Sequence, residues 1–275
     1  MLTIDGSRGE GGGQIVRSSL ALALITQTPI RLIQIRAGRN TPGLMRQHLT
    51  AVRAAAEVGN ATIEGDAIGS RELIFKPGTI KAGSYHFAIH SAGSAVLVFQ
   101  TILPALLTAS KPSELILEGG THNQGSPTFD FLAKAFAPLM ERMGAKLELE
   151  LERPGFYPAG GGRFTARVTP PAEGQLAPLD LMERGAIIER KARALLAHLP
   201  ESIARRELDT IGNRLSWSSD TLTLEHQPNS LGPGNVVSIE LQCEHVHEVF
   251  TGFGAKGVHG PGGHLLGADP FGTEP

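Results

Sequence analysis

A glycine-rich segment near the start of the chain carries one carboxylate and leads into a helix with one arginine. The segment "GSRGEGGGQIVRSS", residues 6–19, places Glu10 among the glycines and Arg17 in the predicted helix. Backbone amides at a turn before a helix can bind an anion. A carboxylate tolerates a bound phosphate beside it when a divalent cation lies between the two. Glu10 is therefore a magnesium candidate, and a solvent-exposed loop glutamate is the alternative.

Three arginines occupy related places in this part of the chain. Arg17 lies one turn into the first predicted helix, and Arg36 and Arg39 flank the short turn after the second predicted strand. A planar guanidinium group can bind two oxygens of one phosphate at the same time. Surface ion pairing explains any one of these arginines, but three at one sheet edge favour a phosphate site.

The glycine segment matches neither of the common phosphate-binding motifs. A Walker loop ends in Gly-Lys-Ser/Thr, whereas this helix opens with Gln14. The dinucleotide fingerprint requires an acidic residue after the second strand, where this chain has the basic stretch "IRAGR". The loop alone therefore does not identify a nucleotide, and a tight strand-to-helix turn also fits it.

Two further polar side chains lie in apolar surroundings. His48, with Gln47 beside it, falls on the apolar side of the second predicted helix, where a histidine is usually a core or edge residue. Gln100, in "LVFQTILP", occupies a place similar to that of Arg17 in its own helix. We expect this amide to be buried and to need partners, of which a ligand is one possibility.

The order strand, helix, strand, helix, strand, strand occurs twice in residues 1–172. In the first copy, "IRLIQIR" predicts a strand buried on both faces, Thr41 predicts a helix N-cap followed by Pro42, and Gly59 predicts the end of that helix. The fold class is α/β (α+β), with repeated β-α-β-α-β-β units packed around a helical layer. Residues 173–252 predict a second, smaller α/β domain, and residues 253–275 a Gly/Pro-rich tail without periodicity.

Composition excludes several classes of function. The formal net charge of −2 among 275 residues excludes a globally basic nucleic-acid binder, so contact with RNA requires a local arginine cluster. The single cysteine, Cys243, excludes an internal disulfide and a cysteine-rich zinc site, and it fits a reducing cytosol. The first residues do not resemble a signal peptide, and Pro29 interrupts the first apolar helix short of a membrane span. We expect a cytoplasmic protein with no membrane partner.

Several segments together resemble the RNA 3'-terminal phosphate cyclase family, in the family's order from the start of the chain to about residue 258. They are "DGSRGEGGGQIVRSSLALA", "IRAGRNTPGLMRQHLTAV", "FKPGTIKAGSYHFAIHSAGSAVLVFQTILPALL", "GGTHNQGSPTFDF", "GFYPAGGGRF", "ERGAI", "GPGN" and "FGAKGV". The resemblance implies an ATP-dependent enzyme of the ligase class that acts on RNA 3'-phosphate ends with Mg²⁺ or Mn²⁺. A histidine takes AMP, the AMP passes to the RNA 3'-phosphate, and the neighbouring 2'-hydroxyl closes a 2',3'-cyclic phosphate as AMP leaves. The implied fold has three repeated units interrupted by a small inserted domain.

The resemblance also assigns roles to individual residues. It implies that Glu10 holds the divalent metal. It implies phosphate handling by Arg17, Arg36, Arg39, Gln47 and His48. It implies a nucleotide pocket lined by Gln100, Pro127 and Phe131. In the family the nucleophilic histidine follows the "FGAKGV" segment, on a strand that the sequence past Val258 does not resemble.

We therefore expect a chain without the family's nucleophile, in which His259 and His264 are incidental tail residues. The alternative function is a non-catalytic, cyclase-like RNA or nucleotide binder, although a pure scaffold has no need of Glu10 with its arginines. A second alternative is an enolpyruvyl-transferase-like enzyme, which shares the repeated α/β unit. The segments "GEGGGQ" and "RQHLTA" count against that alternative.

Overall fold

The repeated units expected from the sequence are present in the structure. A computed structural model describes residues 1–172 and 174–254, which form three four-stranded sheets. The first unit comprises β1 (Leu2–Asp5), α1 (Gln14–Thr26), β2 (Ile30–Ile33), α2 (Arg46–Val58), β3 (Thr62–Glu64) and β4 (Leu73–Lys76). The second unit comprises β5 (Ser84–Ala88), α3 (Ala95–Leu106), β6 (Ser113–Gly119), a π-helix (Phe131–Phe136), α4 (Ala137–Arg142), β7 (Lys146–Arg153) and β8 (Gly162–Thr169).

The two units have the same sheet topology. In the first sheet, β1 pairs parallel with β2, β4 is antiparallel to β2, and β3 is antiparallel to β4. In the second sheet, β5 pairs parallel with β6, β8 is antiparallel to β6, and β7 is antiparallel to β8. The predicted α/β (α+β) class and its repeated β-α-β-α-β-β unit are confirmed.

The two sheets share one hydrophobic core through their helices. Helices α1, α2 and α3 pack against one another, and one continuous cluster of buried side chains runs from Leu20 and Phe75 in the first unit to Phe99 and Phe164 in the second. Phe99 and Phe164 meet edge to face, with ring centroids 6.1 Å apart. Neither sheet buries its apolar face without this shared helical layer.

The second strand is shorter and more one-sided than its sequence suggested. Strand β2 ends at Ile33 because Gln34 has a left-handed φ of 54°, and only the alternate residues Ile30 and Leu32 of the strand are fully buried, with Arg31 exposed. The prediction of a strand buried on both faces was wrong. A left-handed residue turns the chain out of the pleated sheet.

The second helix begins later than Thr41. It starts at Arg46, after Gly43 with a φ of 86°. The amides of Gly43 and Leu44 bond to the carbonyls of Ile35 and Ser70 instead of forming a helical turn. The predicted end is correct, because Gly59 is the C-cap.

The last helix of the second unit contains a π-helical segment. The amide of Ala137 donates to the carbonyl of Leu132, five residues back, and Pro138 lies in the first turn of α4. A proline has no amide to donate. We attribute the change of hydrogen-bond pattern at Ala137 to this missing donor, and π-helical turns occur frequently at functional sites.

The small domain, defined here as residues 187–253, packs on the second unit. It comprises β9 (Ile187–Ala197), α5 (Glu201–Leu215), a 3₁₀ turn (Ser219–Thr221), β10 (Leu222–His226), β11 (Gly234–Cys243) and β12 (His247–Phe253), with sheet order β10-β9-β11-β12. Phe156 of the second unit lies against Gly234, where a Cβ would come within 2.0 Å of the ring. The predicted boundary at residues 172/173 remains a prediction. The predicted tail with His259 and His264, apart from its first residues, lies outside the described residues.

Candidate functional site

The glycine loop lies against the turn that follows β2. Because β1 and β2 are parallel, their carboxyl ends reach the same sheet edge, and the amide of Gly38 donates to the carbonyl of Gly11 over 3.2 Å. Gly11 has a φ of 58°, and a Cβ on it would lie 2.8 Å from the Gly38 nitrogen. The sequence requires glycine here because the two backbones touch.

Glu10 and Arg39 form an ion pair across this contact. The Glu10 carboxylate meets the Arg39 guanidinium, and both side chains are largely exposed, at 67% and 45%. The same guanidinium covers Gly12, where a Cβ would lie 2.9 Å from Nη2. An exposed ion pair contributes little to stability, so either partner can exchange to a ligand at small cost.

Arg36 holds the backbone that precedes α2. Its Nη1 donates to the carbonyl of Thr41 over 2.6 Å and to that of Gly43 over 2.9 Å. Partial burial lowers the pKa of Arg36. This guanidinium therefore shapes the turn on which the site is built, and it also supplies positive charge to the site.

His48 presents a neutral imidazole to the glycine loop. Its Nδ1 accepts the amide of Met45 over 3.4 Å at the start of α2, which leaves the proton on Nε2. A Cβ on Gly13 would lie 2.1 Å from that Nε2. Burial, with the nearby charges of Arg36 and Arg17, lowers the pKa of His48 to about 4. The ring is therefore a neutral hydrogen-bond donor at physiological pH.

Arg17 lies beside the same imidazole and is half-buried, with its Nε fully enclosed. A Cβ on Gly13 would lie 3.2 Å from Arg17 Nη1, and burial lowers the pKa of Arg17. Among the described residues, no acceptor reaches its buried Nε. A buried donor without a partner is costly, so this guanidinium is well suited to an anion.

Gln47 connects the first unit to the second. Its Oε1 accepts the amide of Ser94, the N-cap of α3, over 2.6 Å. A Cβ on the neighbouring Gly93 would lie 2.8 Å from Gln47 Cβ. The residues of α2 are in this way placed relative to the helix that carries Gln100. No pattern in the sequence predicts the role of Ser94, because its backbone amide is distinguished only by its partner, Gln47.

The structure brings one group of the predicted site residues together at a single edge. Glu10, Arg17, Arg39 and His48 lie at the glycine loop. Arg36 holds the turn before α2 and its charge acts on His48, and Gln47 precedes His48 and contacts the second unit. The other group, Gln100, Pro127 and Phe131, lies on the second unit, and all three side chains are exposed. Within the described residues, no hydrogen bond or ion pair connects these three to the first group.

The prediction for Gln100 was wrong in two respects. The side chain is exposed, not buried. The residue equivalent to Arg17 is Val98, because Arg17 and Val98 each donate their amide to the N-cap carbonyl of their helix, Gly13 and Ser94. Helix α3 is buried on nearly every side except at Gln100, so the apolar neighbours in the sequence concealed its exposure.

The sequence comparisons identify the family of this chain. A sequence model of the family described as RNA 3'-terminal phosphate cyclase matches residues 8–252. The chain belongs to the RNA 3'-terminal phosphate cyclase family. It is 52% identical over 258 residues to the RNA 3'-terminal phosphate cyclase of Koribacter versatilis, an alignment that covers 94% of this chain and 72% of the relative.

Two further cyclases are similar to the same extent. The cyclase of Ralstonia nicotianae is 51% identical over 257 residues, covering 94% of this chain and 73% of the relative. That of Ectopseudomonas mendocina is 50% identical over 248 residues, covering 90% of this chain and 72% of the relative. The match of the family model begins inside the glycine loop, at residue 8, and includes every candidate site residue named above.

The arrangement in this cyclase-family chain suits anionic ligands rather than a metal held by protein alone. Within residues 1–172 and 174–254, no three His, Cys, Asp or Glu side chains group closely enough to hold a metal ion. Magnesium commonly takes one or two carboxylates together with substrate phosphates, and Glu10 fits that pattern.

None of the helices within the described residues is long and apolar enough to cross a bilayer.

A polar side chain that the sequence analysis missed lies at the start of the π-helix. Asp130 is buried, and its carboxylate meets His122 Nε2 at 3.0 Å and Arg193 Nη2 at 2.6 Å. An acidic residue within the apolar run "TFDFLAKAF" is the signal that could have drawn attention to it. Its partners were out of reach of sequence reasoning because Arg193 follows 63 residues later in another sheet.

Proposed function

We propose that this chain holds the phosphate-binding part of the site for the family's reaction, the ATP-dependent conversion of an RNA 3'-terminal phosphate to a 2',3'-cyclic phosphate through enzyme-AMP and RNA-AMP intermediates. No nucleophilic histidine is assigned among the described residues. The observation that carries the proposal is the convergence of Arg17, Arg36, Arg39 and His48 on the uncapped start of α1. This reaction moves a nucleotidyl group between phosphates. Dispersed negative charge must therefore be neutralised in place.

Each of these residues has a distinct part in holding phosphate. Arg17 provides the buried guanidinium whose Nε has no acceptor among the described residues. His48 donates from Nε2 and adds no charge. Arg39 exchanges from Glu10 to a phosphate oxygen, since its exposed pair is weak. Gln47 fixes the position of α2 relative to α3 through its hydrogen bond with the Ser94 amide.

Glu10 would hold the divalent cation, Mg²⁺ or Mn²⁺. Its carboxylate has a second oxygen beyond the one paired with Arg39, and it is the hard oxygen donor that such cations prefer. Bound there, the cation would neutralise part of the phosphate charge. Glu10 is then the protein ligand, and the remaining ligands come from the nucleotide and water.

The nucleotide base would bind on the second unit. Phe131 is 40% exposed at the start of the π-helix, and Pro127 and Gln100 are exposed on the same unit. An exposed aromatic ring offers a face on which a base can stack, with a typical contribution of about 1–3 kcal/mol per base. The Gln100 amide can donate and accept hydrogen bonds at a base edge.

The experiment that tests the proposal uses the full chain with Mg²⁺, α-labelled ATP and an RNA oligonucleotide ending in a 3'-phosphate. An acid-labile, covalently bound AMP on a denaturing gel, together with a 2',3'-cyclic end on the RNA, would show that a histidine of this chain serves as the nucleophile. Arg17→Met should lose both signals, whereas Arg53→Met, an exposed helix arginine paired with Asp66, should keep them. His259→Ala and His264→Ala then ask whether either tail histidine accepts the AMP.

A different result would support the alternative function. ATP with Mg²⁺ that raises the melting temperature, without labelled protein or cyclised RNA, indicates a nucleotide or RNA binder of the cyclase family that does not catalyse the reaction. Stabilisation by phosphoenolpyruvate instead of ATP would contradict the proposal and favour an enolpyruvyl-transferase-like activity. The three results are distinguishable in one set of samples.

A further inference from the structure

A buried network of charged side chains joins the small domain to the second unit. Arg193 of β9 meets Asp130 Oδ1 at 2.6 Å through Nη2 and Glu225 Oε2 at 2.8 Å through Nη1. Lys134 of the π-helix meets Glu240 of β11 at 2.7 Å. The side chains of Arg193, Asp130 and Glu240 are only 10–14% exposed.

The other oxygen of Asp130 is held from its own unit. His122 Nε2 donates to Asp130 Oδ2 over 3.0 Å, and the Thr121 hydroxyl meets His122 Nδ1 at 2.8 Å. Thr121 in turn accepts the amide of Gly155 over 2.9 Å. The two oxygens of Asp130 are therefore held by a buried histidine of its own unit and by a guanidinium of the small domain.

Asp130 is the N-cap of the π-helix and directly precedes Phe131. The amide of Phe131 bonds to Thr128 Oγ1 over 3.3 Å, and the amide of Phe129 bonds to the carbonyl of Thr121 over 2.9 Å. Pro127 and Phe131 are exposed at the two ends of this short segment, while the three residues between them are buried. The direction of the exposed side chains thus depends on how the buried ones are anchored.

We infer that Arg193 is a positioning residue for the nucleotide-binding segment Pro127–Phe131, acting through Asp130. This inference rests on the proposed function, because it takes Pro127 and Phe131 as the surface that receives the base. The small domain then does not touch the nucleotide. It fixes the orientation of the segment that does.

Electrostatics support a firm anchor at Asp130. Burial alone would raise the pKa of Asp130, but the hydrogen bond from His122 and the charges of His122, Arg193 and Lys134 lower it well below its usual range. The carboxylate therefore stays ionised. Removing one partner of a buried ion pair costs much more than the intact pair contributes. Replacing Arg193 leaves Asp130 Oδ1 with only the more distant Lys134, at 3.7 Å, and so weakens the anchor of the segment.

The test separates the two ends of the nucleotide. Titration calorimetry on the full chain measures the Kd of ATP with Mg²⁺ and the Kd of inorganic tripolyphosphate with Mg²⁺. For Arg193→Gln we expect the Kd of ATP to rise about tenfold or more, since small displacements of positioned groups have effects of this order. The Kd of tripolyphosphate should stay unchanged, because the first-unit cluster binds it. Arg193→Lys, which keeps the charge, should recover part of the loss.

Arg184→Gln is the matched control. Arg184 is exposed and pairs with Glu248 of the small domain at 3.2 Å. The substitution should leave both Kd values unchanged. An equal loss of ATP and tripolyphosphate affinity in Arg193→Gln, or no loss of either, would overturn the inference.

Two further outcomes are also decisive. If Arg193→Gln does not fold, Arg193→Lys and Asp130→Asn are measured instead. Each must raise the ATP Kd without changing the tripolyphosphate Kd, and failure of either overturns the inference. A wild-type chain that binds tripolyphosphate but gains nothing from the base of ATP also overturns it. A wild-type chain that binds neither ligand instead contradicts the proposed function itself.

Discussion

The start of α1 and the start of α3 occupy the same place in two units of identical topology, yet they are built differently. Gly13 caps α1 without a side-chain hydrogen bond, whereas the Ser94 hydroxyl caps α3 by accepting the Leu97 amide over 3.3 Å. One turn later, the first unit has Arg17 and the second has Val98, which is 1% exposed. The first unit leaves polar groups available to a ligand, and the second satisfies or removes them.

The loops around these helix starts differ in the same sense. In the second unit, Ala92 lies against Gly160, and its carbonyl accepts the side-chain Nδ2 of Asn123 over 2.5 Å. In the first unit, the corresponding loop carries the exposed Glu10, which pairs with Arg39 from the turn after β2. Two copies of one fold can thus have different roles. The helix start of the second unit is packed by protein groups, and that of the first unit is accessible to a ligand, because function resides in the site rather than in the fold.

The largest expected effect comes from closing the open helix start. Gly13→Ala places a methyl group within 2.1 Å of His48 Nε2 and 3.2 Å of Arg17 Nη1, so the imidazole must swing away. We expect the Kd of ATP with Mg²⁺ to rise by more than about a hundredfold, with little change in melting temperature because only side-chain ends must move. Gly83→Ala in the second unit is the control, since its nearest neighbour, the Tyr85 ring, lies at an ordinary 3.7 Å. Equal ATP affinity of the two variants would contradict the assignment of the open end.

Replacing Arg17 with an apolar residue, as in the second unit, should weaken ATP binding and raise the stability of the unliganded chain. Arg17→Met introduces an apolar side chain where the second unit has Val98. We expect the Kd of ATP to rise about ten- to a hundredfold and the free energy of unfolding without ligand to increase by about 1 kcal/mol, because a buried donor without a partner is removed. Calorimetry and urea denaturation measure the two effects. A variant that loses both binding and stability would show that Arg17 is structural; Arg53→Met should change neither.

The pH dependence of stability tests the environment of His48. Its folded pKa of about 4 lies below the ordinary value of 6.5, so the unfolded chain binds the proton more readily. The stabilisation by neutral His48 is complete above pH 6.5 and is lost as the pH falls toward 4, by about 2 kcal/mol at pH 5.

His48→Gln should flatten this part of a melting-temperature profile recorded between pH 4.5 and 7. The contribution of Asp130 lies elsewhere, because its lowered pKa keeps that stability intact until the pH falls below 3.8. Identical slopes for the wild type and His48→Gln would mean that the imidazole is not buried among Arg17 and Arg36.

The smallest expected effect concerns the cation. Glu10→Gln removes the charge that attracts a divalent ion and frees Arg39. We expect the Mg²⁺ concentration for half-maximal ATP stabilisation in a thermal-shift titration to rise severalfold, up to about tenfold. Glu64→Gln, an exposed carboxylate paired with Lys76 on the same unit, should leave that concentration unchanged. An unchanged requirement in Glu10→Gln would remove Glu10 from the metal site.

Much of the fold was predictable because the repeat of element order reflects local patterns of apolar residues and turns. The positions where prediction failed depend on more than these patterns. Helix α2 begins at Arg46 instead of near Thr41 because Arg36 holds the carbonyls of Thr41 and Gly43. Strand β2 ends at Ile33 because Gln34 is left-handed. At the start of α2 a tertiary contact overrides the local signal.

The candidate site also has a part that the sequence predicts and a part that it does not. The meeting of Arg17, Arg36 and Arg39 follows from parallel strands that end at one sheet edge, so the sequence could predict it. The exposure of Gln100 and the anchoring of Asp130 by Arg193 could not be predicted, because both depend on how the second unit packs. Local patterns therefore indicate where chemistry can occur, and packing decides how each group is held.

The helical layer shared by the two sheets has a consequence for how the chain folds. Because α1 and α2 bury their apolar faces against α3, a fragment ending after β4 would expose a surface that only the second unit can cover. The two units are thus halves of one cooperative folding unit, not independent domains. We expect the two units to unfold together in a single calorimetric transition. The number of repeated units in the sequence would then not equal the number of unfolding transitions.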